Sequence, residues 1–302
     1  MRAFGKFFET RLDDGSSLLS TVRGTVRRER LRTDLVAVGD RVWVTDVGEG
    51  EGQIELVEPR RSALGRLARN TQDVEQVILA NPDQALFLFS VRDPEPHPRM
   101  LDRFLVLAES RGLPAAIGVN KMDLDGPAPD GSASLARSVF AVYEPVYPVF
   151  YLCARTGRGM EDLLAFLRGR ITAVTGPSGV GKSSLLNHLD PGGDRDVGVI
   201  SGATGKGRHT TTATVLRRIP GLPDTWVADT PGIRSLSLLG IAPDEFDRCF
   251  PELRPFLGQC FYADCTHLHE PGCPVREAVA AGRIPARRYE SYAALRRGES
   301  LE

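Results

Sequence analysis

Over roughly the first 65 residues, apolar and polar side chains alternate in short runs interrupted by Gly and Asp. Residues 17–26, 40–45 and 53–57 carry the clearest period of two, which predicts half-buried strands in a small all-β unit, a barrel or half-barrel. From about 72 to 235 the texture changes. Apolar runs at 85–91, 114–119, 146–152, 171–175 and 226–228 predict buried strands. Between them, 99–111, 160–167 and 184–189 have helical spacing. Strands alternating with helices imply a mainly parallel sheet covered on both faces. Beyond 234 the chain is rich in Pro, Cys and Arg, with helical patterns near 243–249, 274–281 and 285–297. Three units are therefore expected: an all-β barrel of OB type over 1–68, an α/β domain over 72–235 and a mainly helical domain over 236–302. OB-like barrels often bind RNA or DNA; a purely structural role is the alternative.

The 302 residues are 41% hydrophobic and 25% charged, ordinary values for a soluble globular protein. The N-terminus lacks the apolar run of a signal peptide, and no stretch approaches the roughly 18 apolar residues of a membrane span. A cytoplasmic protein without membrane contact is expected. The net charge of −1 does not by itself point to nucleic acid. Arginines do cluster, at 23, 27, 28, 30 and 32 and again at 283, 287, 288, 296 and 297. Each cluster reads either as phosphate contacts or as a solvated face. Of the 38 cationic side chains only four are lysines. Three of these, Lys121, Lys182 and Lys206, fall in or beside the motifs below, where a compact ammonium fits and a planar guanidinium does not.

Gly176-Pro177-Ser178-Gly179-Val180-Gly181-Lys182-Ser183 fits the P-loop pattern between a predicted strand and a helix that continues through Ser184. Its glycines let backbone N–H groups turn toward phosphate, and the helix N-terminus adds its positive dipole end. Lys182 is expected on the β- and γ-phosphates and the Ser183 hydroxyl on Mg²⁺. Asn120-Lys121-Met122-Asp123, at the end of a predicted strand, matches the guanine-reading N-K-x-D. The Asp123 carboxylate can accept from guanine N1–H and the exocyclic amine, a donor pair adenine lacks. Asp229-Thr230-Pro231-Gly232 matches D-x-x-G, with Asp229 expected to hold Mg²⁺ through water and the Gly232 amide to sense the γ-phosphate. Thr210, Thr211 and Thr212 supply hydroxyls for the Mg²⁺ shell; the local pattern does not choose among them, and Thr211 is carried forward. Cys153-Ala154-Arg155 resembles the S-A-K loop that backs the guanine.

The order of these motifs is rotated. N-K-x-D and C-A-R precede the P-loop, while the threonines and D-x-x-G follow it. A circular permutation of a doubly wound sheet preserves the site, because the loops still meet at one sheet edge. It also leads the D-x-x-G segment directly into the C-terminal domain. Ile233 stands where Ras-like proteins carry a water-orienting Gln. Slow intrinsic hydrolysis follows, and His209 is the candidate to position water, or else an anchor of its segment.

The five cysteines are an odd number, and three lie within fourteen residues. Cys260, Cys265, a nearby His and Cys273 suit one closed, tetrahedral, structural zinc site. His267 and His269 both have suitable positions.

Taken together, these features resemble the ribosome small subunit-dependent GTPase A family, RsgA or YjeQ. The resemblance rests on the N-terminal barrel, the permuted order, the P-loop through Ser184, Gly207-Arg208-His209-Thr210-Thr211, Asp229-Thr230-Pro231-Gly232 and the Cys/Cys/His/Cys cluster. It implies an OB-fold, a permuted GTPase domain and a zinc domain ligated by Cys260, Cys265, His267 and Cys273. It further implies a late assembly factor for the small ribosomal subunit that binds GTP, GDP and rRNA and whose hydrolysis that subunit stimulates; a monomer is expected. Cys153 departs from the family's usual Ser. A regulatory GTPase with a protein effector and an RNA-binding module with a vestigial nucleotide site are the rival readings.

Overall fold

The computed structural model describes residues 2–4, 6–24, 35–67, 75–192, 214–230, 238 and 241–301. Five strands, β1 (Ala3–Phe4), β2 (Phe7–Arg11), β3 (Ser17–Val22), β4 (Val42–Gly48) and β5 (Glu51–Val57), form an N-terminal sheet in the order β1-β2-β3-β5-β4. All pairings are antiparallel except β3 with β5, where Leu19 lies opposite Glu51. A parallel pair within an otherwise antiparallel five-stranded sheet fits an OB-type barrel. The period of two is visible in burial: Leu18, Ser20 and Ile54 face inward while Leu19 is exposed. Ser20 is tolerated inside because its hydroxyl bonds Thr10 Oγ1 at 2.7 Å.

A two-stranded antiparallel ribbon follows, β6 (Ala63–Leu67) with β7 (Glu75–Ala80). Leu64 and Leu79 pack into the core of the central domain. The expected division at 68–72 thus runs between the two strands of one ribbon.

The central sheet contains β8 (Gln84–Ser90), β9 (Ala115–Asn120), β10 (Val149–Tyr151), β11 (Ile171–Thr175), β12 (Val215–Arg218) and β13 (Trp226–Asp229), in the order β10-β9-β8-β11-β13-β12. Five strands are parallel and edge strand β12 is antiparallel to β13. Helices α1 (Pro98–Ser110), α2 (Leu135–Phe140), α3 (Met160–Leu167) and α4 (Lys182–Leu189) cover the sheet. β8 is buried throughout, which explains its unbroken apolar sequence. Its Phe87 and Phe89 pack with Leu101 and Leu105 of α1 and Phe140 of α2. Its Leu86 and Leu88 face the other layer, with Leu163 and Leu167 of α3 and Leu185 and Leu186 of α4. Each such buried side chain contributes about 1.5–3 kcal/mol.

The C-terminal domain is built from short 3₁₀ turns at Pro243–Cys249 and Arg254–Phe256 and from α5 (Pro274–Ala280) and α6 (Ala286–Arg296). It docks on α1, whose Val106 enters the same core as Phe246, Phe250 and Tyr292. A polar network crosses this junction. Arg288 Nη1 donates to Asp102 Oδ1 at 2.7 Å and its Nε to Glu252 Oε1 at 2.5 Å. Tyr143 and Ser291 donate their hydroxyls to the same Asp102 carboxylate, at 2.7 and 2.5 Å. Arg288 and Asp102 are fully buried. Arg288 is therefore not part of a solvated face or free to contact phosphate: it bridges two domains. Arg287 beside it donates to the Val139 carbonyl at 2.6 Å. Of the N-terminal cluster, Arg23 pairs with Glu55, and Arg27, Arg28, Arg30 and Arg32 lie outside the described residues. No helix among the described residues is long and apolar enough to cross a membrane.

Candidate functional site: four loops on one sheet edge

The parallel strands β9, β10, β11 and β13 end at the same edge of the sheet, where ligands bind in open α/β folds. Residues 176–183 run from β11 into α4. Two glycines permit this turn. A Cβ at Gly176 would lie 1.9 Å from the Leu88 carbonyl oxygen, and one at Gly181, where φ is 96°, would lie 2.3 Å from Asn120 Nδ2. Pro177 and Val180 anchor the loop inward while Ser178, Gly179, Ser183 and Ser184 are exposed. Lys182 Nζ donates to the carbonyls of Gly176 and Pro177, at 2.8 and 2.7 Å, so the ammonium is held inside its own loop.

Asn120, at the end of β9, is buried and ties three motifs together. Its Nδ2 donates to the Val180 carbonyl at 2.8 Å, and its Oδ1 accepts from the Ala154 N–H at 2.9 Å. Residues 60 positions apart in the chain, in rotated order, are thus joined by one amide side chain. Lys121 adopts φ 63° and donates from Nζ to the Asp93 carbonyl. Met122 opens a 3₁₀ turn, Met122–Leu124, and packs on the sheet core. That turn presents Asp123. Its Oδ1 accepts from Cys153 Sγ at 3.1 Å and its Oδ2 from Arg155 Nη2 at 2.8 Å. The thiol hydrogen bond, with Arg155 and Lys121 nearby, holds the carboxyl below the usual carboxylate range. Cys153, where Ser was expected, thus provides a donor to the carboxylate.

Asp229 ends β13. The next residue, Thr230, is buried and donates from Oγ1 to the Val174 carbonyl at 3.0 Å, which fixes the start of D-x-x-G against β11. Burial raises the Asp229 pKa, while the charges of Lys182 and Arg217 pull it back down. Its Oδ1 is buried without a hydrogen-bond partner. A buried carboxylate oxygen lacking a donor, beside the P-loop lysine, fits a divalent cation coordinated through water. Lys206, Gly207, Arg208, His209, Thr210, Thr211, Thr212, Pro231, Gly232, Ile233 and Arg234 lie outside the described residues.

At the C-terminal domain, Cys260, Cys265, His267 and Cys273 bring their donor atoms within 4.8 Å of one another. His267 Nδ1 is 3.4 Å from Cys260 Sγ, 3.4 Å from Cys265 Sγ and 3.3 Å from Cys273 Sγ; Cys260 and Cys273 are 3.8 Å apart. Zinc bonds of about 2.3 Å to sulfur and 2.0 Å to nitrogen give tetrahedral edges of about 3.5–3.8 Å, so the four donors fit. His267 Nε2 points toward Asp247, 3.8 Å away, an outer partner that orients the ring. His269 is outside the cluster and exposed. Cys249 is an ordinary buried thiol, with Sγ on the Glu245 carbonyl.

Two features were missed at the sequence level. One is the ion pair that Arg155, in the Cys153-Ala154-Arg155 loop, makes with Asp123. The turn after β8 also reaches the P-loop, with Pro94 Cδ 3.4 Å from where a Gly179 Cβ would lie. Neither contact leaves a local signature, because each partner comes from a distant segment.

The family model for RsgA GTPase matches residues 57–239. The small ribosomal subunit biogenesis GTPase RsgA of Gemmatimonas aurantiaca is 44% identical over 97% of this chain and 94% of its own. The protein of the same name from Moorella thermoacetica is 40% identical over 97% and 93%. Among solved structures, YjeQ from Thermotoga maritima superposes with a TM-score of 0.74 at 34% identity, covering 97% of this chain and 93% of that one. YloQ, described as a circularly permuted GTPase, gives 0.72 at 28%, covering 98% and 92%.

Proposed function

Because the chain belongs to the RsgA GTPase family, we propose that it is a GTP hydrolase acting in maturation of the small ribosomal subunit, which stimulates its hydrolysis and from which hydrolysis releases it. The observation that carries the nucleotide part is the Asn120 side chain, bonded to the P-loop on one side and to the Cys153–Ala154 loop on the other. It supports one composite site for base and phosphates. Asp123 reads guanine, with Cys153 and Ala154 behind the base. The backbone amides of 176–183 and the Lys182 ammonium hold the phosphates. Ser183, Thr211 and, through water, Asp229 surround Mg²⁺. When bound, that ion neutralises charge on the β- and γ-phosphate oxygens. The Gly232 amide senses the γ-phosphate and His209 positions the attacking water.

Zinc at Cys260, Cys265, His267 and Cys273 is structural, since four protein donors close the coordination shell. The domain it holds is locked to α1 by the buried Arg288–Asp102 pair. The N-terminal barrel and zinc domain contact rRNA, and the protein works as a cytoplasmic monomer. The three units, 1–68, 72–235 and 236–302, act as two RNA-contacting arms around a switch.

The deciding experiment is multiple-turnover GTP hydrolysis with and without purified small ribosomal subunits. At least tenfold stimulation is expected. Turnover indifferent to subunits would favour a GTPase with another effector, and a chain that binds no GTP would leave an RNA-binding module.

A further inference from the structure

The Asp123 carboxylate already has two donors, and they differ in kind. Cys153 is buried and approaches Oδ1 from the protein side at 3.1 Å. Arg155 approaches Oδ2 at 2.8 Å, its side chain 78% exposed against 26% for Asp123. It therefore comes from the solvent side, the direction from which a base must arrive. The chemistry of the two visitors is alike. The N1–C2(–NH₂)–N3 edge of guanine is itself a guanidine fragment, two parallel N–H donors on one planar carbon. An arginine head group presents the same fork to a carboxylate.

We propose that Arg155 is a tethered competitor for the base-reading carboxylate, a gate that guanine must displace before Asp123 can accept both of its donors. This rests on the reading of Asp123 as the guanine contact. Sequence adjacency favours the device, since Arg155 sits two residues after Cys153 and is delivered by the loop that backs the base. The Ala154 N–H bond to Asn120 fixes that loop, so the guanidinium returns to the same place whenever the site is free to close.

The consequence is quantitative. If the gated form outnumbers the open form by about two to one, the affinity for guanine nucleotide is reduced by the open fraction, about threefold. That bias is within the range of exposed ion pairs. Removing the guanidinium raises the association rate by the same factor and leaves dissociation nearly unchanged, because the pair is broken in the complex. Salt screens the gate, so its effect shrinks at high ionic strength.

The test is stopped-flow binding of a fluorescent mant-GDP to the full chain and to Arg155→Ala and Arg155→Lys. Arg155→Ala should bind about threefold tighter through a faster on-rate, with Arg155→Lys in between, since an ammonium pairs at one point without the planar fork. In an Asp123→Asn background, with mant-XDP as the probe, Arg155→Ala should change nothing, because the anionic partner is gone. Arg155→Ala with unchanged or weaker affinity, or with faster dissociation, would overturn the gate and make Arg155 a contact to the bound base. Failure of the wild-type chain to bind mant-GDP at all is a different result; it would remove the guanine site itself.

Discussion

Asn120 offers the sharpest test of how the nucleotide site is assembled. Asn120→Ala removes both ends of its bridge at once. The Val180 carbonyl and the Ala154 N–H are each left buried without a partner, and Val180 and Ala154 are almost fully enclosed. Each stranded group costs about 1–3 kcal/mol, so the sum is about 2–6 kcal/mol. The site lies at an open sheet edge, so water can enter and the lower figure applies. About 2 kcal/mol of lost preorganisation corresponds to a roughly 30-fold rise in the Kd for mant-GDP. The same energy should lower Tm by about 4–8 °C for a domain of this size. Fluorescence titration and thermal unfolding, run on wild type and variant, read both numbers. Asn120→Asp retains the acceptor for Ala154 but sets a carboxylate against the Val180 carbonyl, so it should bind no better than the alanine variant. Affinity within twofold of wild type and an unchanged Tm in Asn120→Ala would refute the idea that this amide holds the loops in register.

The other expectations are more local. Lys182→Ala should reduce GTP turnover at least 100-fold in a single-turnover assay; a near-normal rate would remove the phosphate assignment. Asp102→Ala leaves Arg288 buried with Glu252 as its remaining carboxylate and should destabilise the chain by about 3 kcal/mol in denaturant unfolding; a change below 0.5 kcal/mol would mean that the network is dispensable. Metal analysis should return one zinc per chain, and chelation should expose the C-terminal domain to protease. Because zinc binds thiolates and protons compete for them, zinc should be lost more readily as pH falls. A metal-free chain with an undisturbed C-terminal domain would contradict this.

Much of the site was legible in the sequence because its chemistry is local. The P-loop, N-K-x-D and D-x-x-G are short runs flanked by apolar strands; the first two land at strand ends in the structure, as does Asp229, which opens the third. The spacing alone left His267 and His269 open and the family resemblance chose His267; the structure supplies the physical reason, for with φ 61° at His267 its imidazole meets the thiols while His269 stays in solvent. Arg288 was misread. In the sequence it is one more cation in a basic run; its carboxylate partners lie 36 and 186 residues away. Strand β12 escaped because a four-residue edge strand, two of them arginines, carries no apolar run. The pattern at 243–249 has helical spacing, yet Pro243 and a short span give a 3₁₀ turn.

Swapping the base contact shows most directly whether distant loops in rotated order read one guanine nucleotide. Asp123→Asn replaces an acceptor pair with a donor and an acceptor, which suits the C2 carbonyl of xanthine. Hydrolysis of GTP and XTP should be measured on wild type and variant in parallel. Preference should invert from GTP to XTP while Lys182 remains essential for both. Unchanged GTP preference in the variant would contradict this.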